Sequence, residues 1–388
     1  MVRVATNVFL IMTSMKKILS LVHRTSCIVL VLCALAVHPF ALSPLHGQQL
    51  PDSQFENWGD KFNGDAQLTL WHGSNVNQAG FKFTFLYQKP GRTGFCAYVM
   101  DRAVGIPKLG IGATGPGYLS LGQPWQYLKG LNVNGATAGT EGGIEWTHRP
   151  DTMAVWVKRV GPKTDDEDFH LLYYSWIGTA KSGQYKNKKG GCTPTIRINE
   201  ESDVRQRTDG NECGIDETVT QVAEGWYRAR AKYDEWTLIK VPVLYCDDAR
   251  PTMCNVIFSA GNYPAFRAND GLYDGNALYV DDVELIYSSK IDRLLVNGEV
   301  VKGFDPNSTA VQTFRLTNRE TQTINIEALR GIGALTNIKG ETAKFPGRRL
   351  DNKEMTIVPG ELNGKPWVIT VRADDGSSTH TYKLKIIN

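Results

Sequence analysis

The sequence predicts an all-β protein, and three observations carry that prediction. Hydrophobicity alternates with a period of two through Thr152–Lys158, Phe169–Ile177, Trp236–Tyr245, Met253–Phe258 and Leu278–Tyr287, as it does in strands that bury one face. No window past the first fifty residues sustains the three-and-four apolar spacing of an amphipathic helix. The chain is also punctuated by 38 glycines and 17 prolines, so any helices are short and the strands are separated by turns, as in a sandwich or barrel.

Taken in order, the first element is a leader. Met15-Lys16-Lys17 precedes the uncharged run Ile28–Ala36, which reads as the basic and apolar regions of a secretory signal starting at Met15 and occupying residues 1–47. His23 and Arg24 interrupt the apolar run, leaving too little for a transmembrane span. Cleavage is expected after the small-residue pattern Ala34-Leu35-Ala36 or just before Gln48, and Cys33 sits in a poor lipobox. The expected product is secreted, periplasmic or held at an outer-membrane surface.

Residues 48–388 suffice for two domains of the usual ~100–200 residues. Charge is nearly balanced, with 43 Lys+Arg against 40 Asp+Glu, which gives no footprint for nucleic acid or an anionic membrane. Past the leader, Cys96, Cys192, Cys213, Cys246 and Cys254 form no CxxC pair, which argues against zinc. In an oxidising compartment Cys246–Cys254 could close a hairpin and Cys192–Cys213 could close a polar insertion. Unbridged buried thiols are the alternative.

The segment Asn276–Tyr287, NALYVDDVELIY, breaks its alternation in the middle. Leu278 and Val280 share one face, while Val283 and Leu285 share it only after a one-residue slip, which indicates a bulge at Asp281 or Asp282. Hard oxygen ligands from Glu56, Asp281 and Asp282 would let a calcium ion clamp the first and last strands of a sandwich. After Tyr287 the texture becomes polar at Ser288-Ser289-Lys290. The following hundred or so residues, with a hairpin signal at Asp375-Gly376, have immunoglobulin-like size and pattern. The boundaries are therefore 48–287 and 288–388.

Gly110-Ile111-Gly112-Ala113-Thr114-Gly115 matches a dinucleotide fingerprint in letters only. Pro116-Gly117 forbids the helix that would present amides to a pyrophosphate, so no nucleotide cofactor is expected and the stretch reads as a closely packed loop. Asp165, Asp166, Glu167 and Asp168 read as a solvated turn.

Several motifs occur in a characteristic order: FENW at Phe55–Trp58, GIEWTHRP at Gly143–Pro150, WTLIKVPVLY at Trp236–Tyr245, FSAGN at Phe258–Asn262 and ALYVDDVELIY at Ala277–Tyr287. In this order they resemble the putative carbohydrate metabolism domain of secreted Bacteroidetes proteins, over roughly Gln48 to Tyr287. The tail is similar to the immunoglobulin-like domains that accompany such modules. The resemblance implies a galactose-binding-like jelly roll, a role in glycan capture or metabolism at or outside the outer membrane, and a calcium ion where the early FE meets the late VDDV. The insertion Tyr185–Glu224 departs from the compact pattern.

On chemistry alone, aromatic side chains can stack on sugar C–H faces while planar polar groups bind hydroxyls. The candidates are Trp146, His148, Arg149, Trp156, Tyr174, Trp176 and Asn262. On the Phe169–Ile177 strand, His170, Leu172, Tyr174 and Trp176 share one face and Phe169, Leu171 and Tyr173 the other; both faces are too apolar for open solvent. Glycoside hydrolysis needs two carboxyl groups, one kept protonated. Glu145, between Ile144 and Trp146, is the candidate acid, but no partner is singled out. Glycan binding is thus the leading expectation. Hydrolysis through Glu145, or a structural surface or adhesin role without a small ligand, are the alternatives.

Overall fold

A computed structural model describes residues 48–388 apart from 79, 107–110, 130–131, 179–219, 246–248, 262–270, 292, 321–322, 331–333, 337–341, 345–347 and 350–353. The expected signal, Cys33, Cys192, Cys213, Cys246 and Asn262 lie outside the described residues. Every regular element among the described residues is a strand, as the period-two alternation requires. No helix among them is long and apolar enough to cross a membrane.

Within the compact unit Gly47–Asn388, the larger core lies between two antiparallel sheets. One has five strands in the order Tyr233–Pro242, Thr152–Val160, Ala277–Ile286, Phe95–Met100 and Leu86–Pro90. The other runs Leu244–Tyr245, Thr220–Ala229, Phe169–Ile177, Met253–Ser259, Tyr118–Ser120 and His72–Gly73, with Ile144–Glu145 also paired to Met253–Ser259. Alternation decides which side chains meet. Met153, Val155, Val157, Leu278, Val280, Ala97 and Val99 from the first sheet share one buried cluster with Phe169, Leu171, Tyr173, Val256 and Phe258 from the second. Each such large side chain contributes roughly 1.5–3 kcal/mol on burial.

Four local expectations change on inspection. Trp236–Tyr245 is not one strand: pairing in the five-stranded sheet ends at Pro242, Val243 donates its N–H to the Asp151 carbonyl (2.9 Å), and Leu244–Tyr245 joins the opposite sheet. The end of the presumed insertion is a strand, because Thr220–Ala229 pairs along the whole of Phe169–Ile177. The glycine-rich stretch is not a loop either, since Ile111–Gly115 forms a hairpin with Arg102–Ile106. The close backbone approach falls instead at Gly117, where a Cβ would stand 2.3 Å from the Met100 carbonyl oxygen. Finally, Cys254 is a free, buried thiol, while its expected partner Cys246 lies outside the described residues. Its strand alternates so that Cys254 points inward with Val256 and Phe258, and burial pushes the thiol's pKa well up.

The slip in the Ala277–Ile286 strand is a bulge: Ala154 faces Glu284 while Trp156 faces Asp281. Asp282 takes a positive φ of 45°, the left-handed conformation that Asp tolerates better than most residues. A second core follows Ser288-Ser289-Lys290. It gathers Ile291, Leu294, Val296, Phe314, Ile369, Val371, Tyr382 and Leu384 from two four-stranded sheets, in one of which Val311–Arg315 runs parallel to Thr379–Ile387. The Asp375-Gly376 turn forms as the sequence indicates, with Gly376 at φ 72° and its N–H on the Ala373 carbonyl.

Candidate functional site: an aromatic sheet face

The outward side chains of the five-stranded sheet build a row of rings from strands far apart in sequence. Tyr87 lies opposite Tyr98, Tyr98 opposite Tyr279, and Tyr279 opposite Lys158, with Trp236 next on the outermost strand. Tyr98 and Tyr279 meet edge-to-face at 4.6 Å; Tyr87 stands 5.9 Å from Tyr98, and Trp236 stands 6.2 Å from Tyr279. All four rings are partly exposed. Trp156 and the exposed Leu238 lie opposite one another in the adjacent row.

Cations are interleaved with these rings. Lys158 Nζ lies 5.4 Å from the Trp236 centroid and Lys89 Nζ 5.7 Å from that of Tyr98. Arg92 covers Trp156 at 3.8 Å. At the edge, Arg102 donates to the Tyr87 hydroxyl (2.6 Å) and to the Thr84 carbonyl (3.0 Å). The phenols stay neutral: burial and then the neighbouring Tyr279 and Tyr87 push Tyr98 up to about 12, and burial raises Tyr87 and Tyr279 as well. Such a face offers flat apolar surface with hydroxyl and N–H groups along it, and it carries no reacting pair.

Of the expected ligand residues that are described, only Trp156 lies on this face. Trp146 belongs to the main core. Tyr174 and Trp176 are sealed in a separate cluster with Tyr118, Leu172, Trp226, Met253 and Ile257, so the second face of their strand is buried too. His148 and Arg149 serve the junction with the second core. His148 Nδ1 stands 3.3 Å from the buried Asp374 carboxylate, and the Arg149 N–H donates to it at 3.0 Å. The Arg149 guanidinium packs over Tyr245 at 4.2 Å and donates to the Ala249 carbonyl.

The catalytic candidate fares no better. Glu145 lies exposed on a two-residue strand, without the enclosure that a general acid requires. The solvated-turn reading of Asp165–Asp168 holds for Asp165 and Asp166 but fails for Glu167 and Asp168, which are buried. Glu167 joins Asp101, Arg159 and Asn276 in a sealed polar cluster. There Asn276 donates to Glu167, the Gly117 N–H donates to Asp101 (2.7 Å), and Arg159 stands 3.6 Å from Glu167. Burial and then Glu167 raise the Asp101 pKa well above the usual carboxylate range. A pair this enclosed has no access to a polysaccharide, and the tight approach of Gly261 to both carboxylates marks it as packing.

Glu56, Asp281 and Asp282 do come together, around the Gly91–Phe95 turn. Glu56 Oε1 accepts the Phe95 N–H (2.9 Å), Asp281 accepts the N–H groups of Arg92 (2.7 Å) and Asp282 (2.9 Å), and Asp282 pairs with the Arg92 guanidinium. Among the described residues no group of three or more His, Cys, Asp or Glu side chains converges as metal ligands do. As arranged, both Asp281 oxygens and one Glu56 oxygen accept N–H groups and the Arg92 guanidinium lies on Asp282, so an ion would bind here only by displacing Arg92.

No protein-family model matches the chain, and no curated protein matches it. Among solved structures it is similar to a putative glycoside hydrolase from Bacteroides thetaiotaomicron VPI-5482, at TM-score 0.39 and 17% identity over 62% of this chain and 72% of that one. A putative glycoside hydrolase from Bacteroides vulgatus ATCC 8482 gives TM-score 0.38 and 16% identity, covering 60% and 96%. The K1 cleaved adhesin domain of Lys-gingipain from Porphyromonas gingivalis W83 gives 0.23 and 13%, covering 60% and 94%. At such TM-scores a likeness fixes neither fold nor activity.

Proposed function

We propose that this protein binds a glycan on the outer face of its five-stranded sheet, as a secreted, periplasmic or surface-held carbohydrate-binding protein. The observation that carries the proposal is the partly exposed row Tyr87, Tyr98, Tyr279 and Trp236. Rings held on rigid strands can stack against the C–H faces of successive sugars. Binding is favoured over hydrolysis because Glu145 is exposed and the Asp101–Glu167 pair is sealed. The second core, beginning near Ile291, is proposed as a separate immunoglobulin-like domain that spaces or anchors the first.

Glycan-array screening of the purified protein, followed by titration calorimetry with the best glycan, tests the reading. Tyr279→Ala and Trp236→Ala should each weaken binding about tenfold, the effect of losing one well-seated aromatic contact worth about 1.4 kcal/mol. Trp146→Phe, altering a core ring away from the face, should leave affinity unchanged. Absence of binding to any glycan would favour a structural surface role. Release of reducing ends by the wild-type protein, lost in Glu145→Gln, would favour the hydrolase.

A further inference from the structure

Lys158 stands in the middle of the ring row, between Trp236 and Tyr279, and is only partly exposed. Among the described residues its ammonium has ring contact but no carboxylate partner, and the same is true of Lys89 beside Tyr98. The carboxylates near Lys158 are engaged or marginal; Asp65 acts on Tyr87, at the far edge of the row beside Arg102. Asp281 is buried with both oxygens on N–H groups, Asp282 pairs with Arg92, and Asp234 pairs with Lys232 at 2.9 Å. Glu235 and Glu284 lie exposed on either side of the aromatic rows.

A platform for neutral sugar has no need of cations among its rings, and an ammonium drawn partly out of water without a counter-charge costs free energy. From this juxtaposition we infer that the platform takes an anionic glycan, whose carboxylate or sulfate groups meet Lys158 and Lys89 while its sugar rings lie on Tyr98, Tyr279 and Trp236. The inference rests on the glycan-binding proposal and names its substrate class. The two lysines sit on strands separated by two others, so about 14 Å of sheet lies between them at the usual strand spacing. A chain of several sugar units, each repeat carrying charge, satisfies both.

The test is titration of the purified protein with polygalacturonate and alginate oligosaccharides as uronate probes, carrageenan oligosaccharides as sulfate probes, and xylan oligosaccharides as neutral probes. An anionic probe should bind about tenfold or more tightly than the neutral ones, and its affinity should fall steeply as salt rises and screens the lysines. Lys158→Met keeps the apolar stem over Trp236 and removes the charge. This variant should lose most of the anionic preference and the salt dependence, keep its residual stacking affinity, and melt at the wild-type temperature. Which anionic class binds separates uronate from sulfate. Equal, salt-insensitive binding of neutral and anionic probes, or an unchanged preference in Lys158→Met, overturns the inference but leaves glycan binding intact. No binding by any probe, in agreement with a blank glycan array, overturns both.

Discussion

At Asp281 a single carboxylate ties a bulge to a turn made far away in the chain, and its titration is readable in stability. Burial pushes its pKa up to about 6, with backbone N–H groups from Arg92 and Asp282 pulling the other way. Asp101 and Glu167 are also raised, chiefly by burial. A carboxyl group whose folded pKa is raised contributes stability that is complete below its unfolded pKa of about 4 and is lost as pH climbs through the folded value. Burial alone would raise Asp168 too, but Arg228 and Arg230 outweigh it and hold that group low, so its contribution is lost only in stronger acid. Urea unfolding should therefore show a higher midpoint at about pH 5 than at about pH 7.5. Asp281→Asn should flatten part of that slope, and a wild-type midpoint that rises with pH would contradict the assignment. From sequence, the phase slip located this bulge because alternation is a local property. The tight Gly117 and the buried Glu167 were not legible, because what encloses them comes from strands distant in the chain.

The element that decides the candidate site is the five-stranded sheet, and here the sequence was informative only in part. Thr152–Val160 and Ala277–Ile286 could be read as strands because the first alternates cleanly and the second alternates on either side of a single slip. Which of their two faces would stay open could not be read, because that depends on pairing among strands scattered from Leu86 to Ile286. Trp156 was found as a lone aromatic on a strand; Tyr98 and Tyr279 became a candidate site only when register set them opposite each other. The conspicuous GIEWTHRP motif misled for the converse reason, since its aromatic and basic side chains serve packing and a junction. The Gly91–Phe95 turn carries this scale's prediction. Gly94 has φ 63°, and a Cβ on Gly91 would meet Asp281 at 2.6 Å, so the turn is gripped by the same carboxylates proposed to hold calcium. An ion there must displace Arg92 from Asp282. Calcium should therefore raise the Tm only at the weak affinities of extracellular modules, about 10⁻⁴ to 10⁻³ M. Glu56→Gln should abolish the rise, and a flat wild-type response to calcium and chelator would argue against an ion at this turn.

Across the whole molecule, a buried carboxylate, Asp374, is a main polar tie between the two cores. Asp374 follows the Trp367–Arg372 strand, and its side chain is 1% exposed. It receives the Arg149 N–H at 3.0 Å, His148 at 3.3 Å and Arg250 at 2.8 Å, all three residues lying beside the larger core. Ala373, its neighbour, packs into that larger core. Arg250 also donates to the Thr147 carbonyl, so the cationic side of the junction is itself held in place. Arg250 is 61% exposed, so its ion pair with Asp374 is screened and worth little. The hydrogen bond from a backbone N–H to a buried carboxylate is the stronger tie. Removing the carboxylate should cost about 1–3 kcal/mol, felt at the junction rather than within either core. Asp374→Ala should accordingly split one thermal transition into two, or widen it, in calorimetry, while leaving glycan affinity at the distant sheet face unaltered. Asp374→Glu, with its longer reach, should recover part of the lost cooperativity. A single unshifted transition in Asp374→Ala would mean that the cores are coupled by the other ties across the junction, such as Ala373 packing and the Ser288 N–H on Asp151, and the aromatic and basic cluster from Trp146 to Arg149 would then need another explanation.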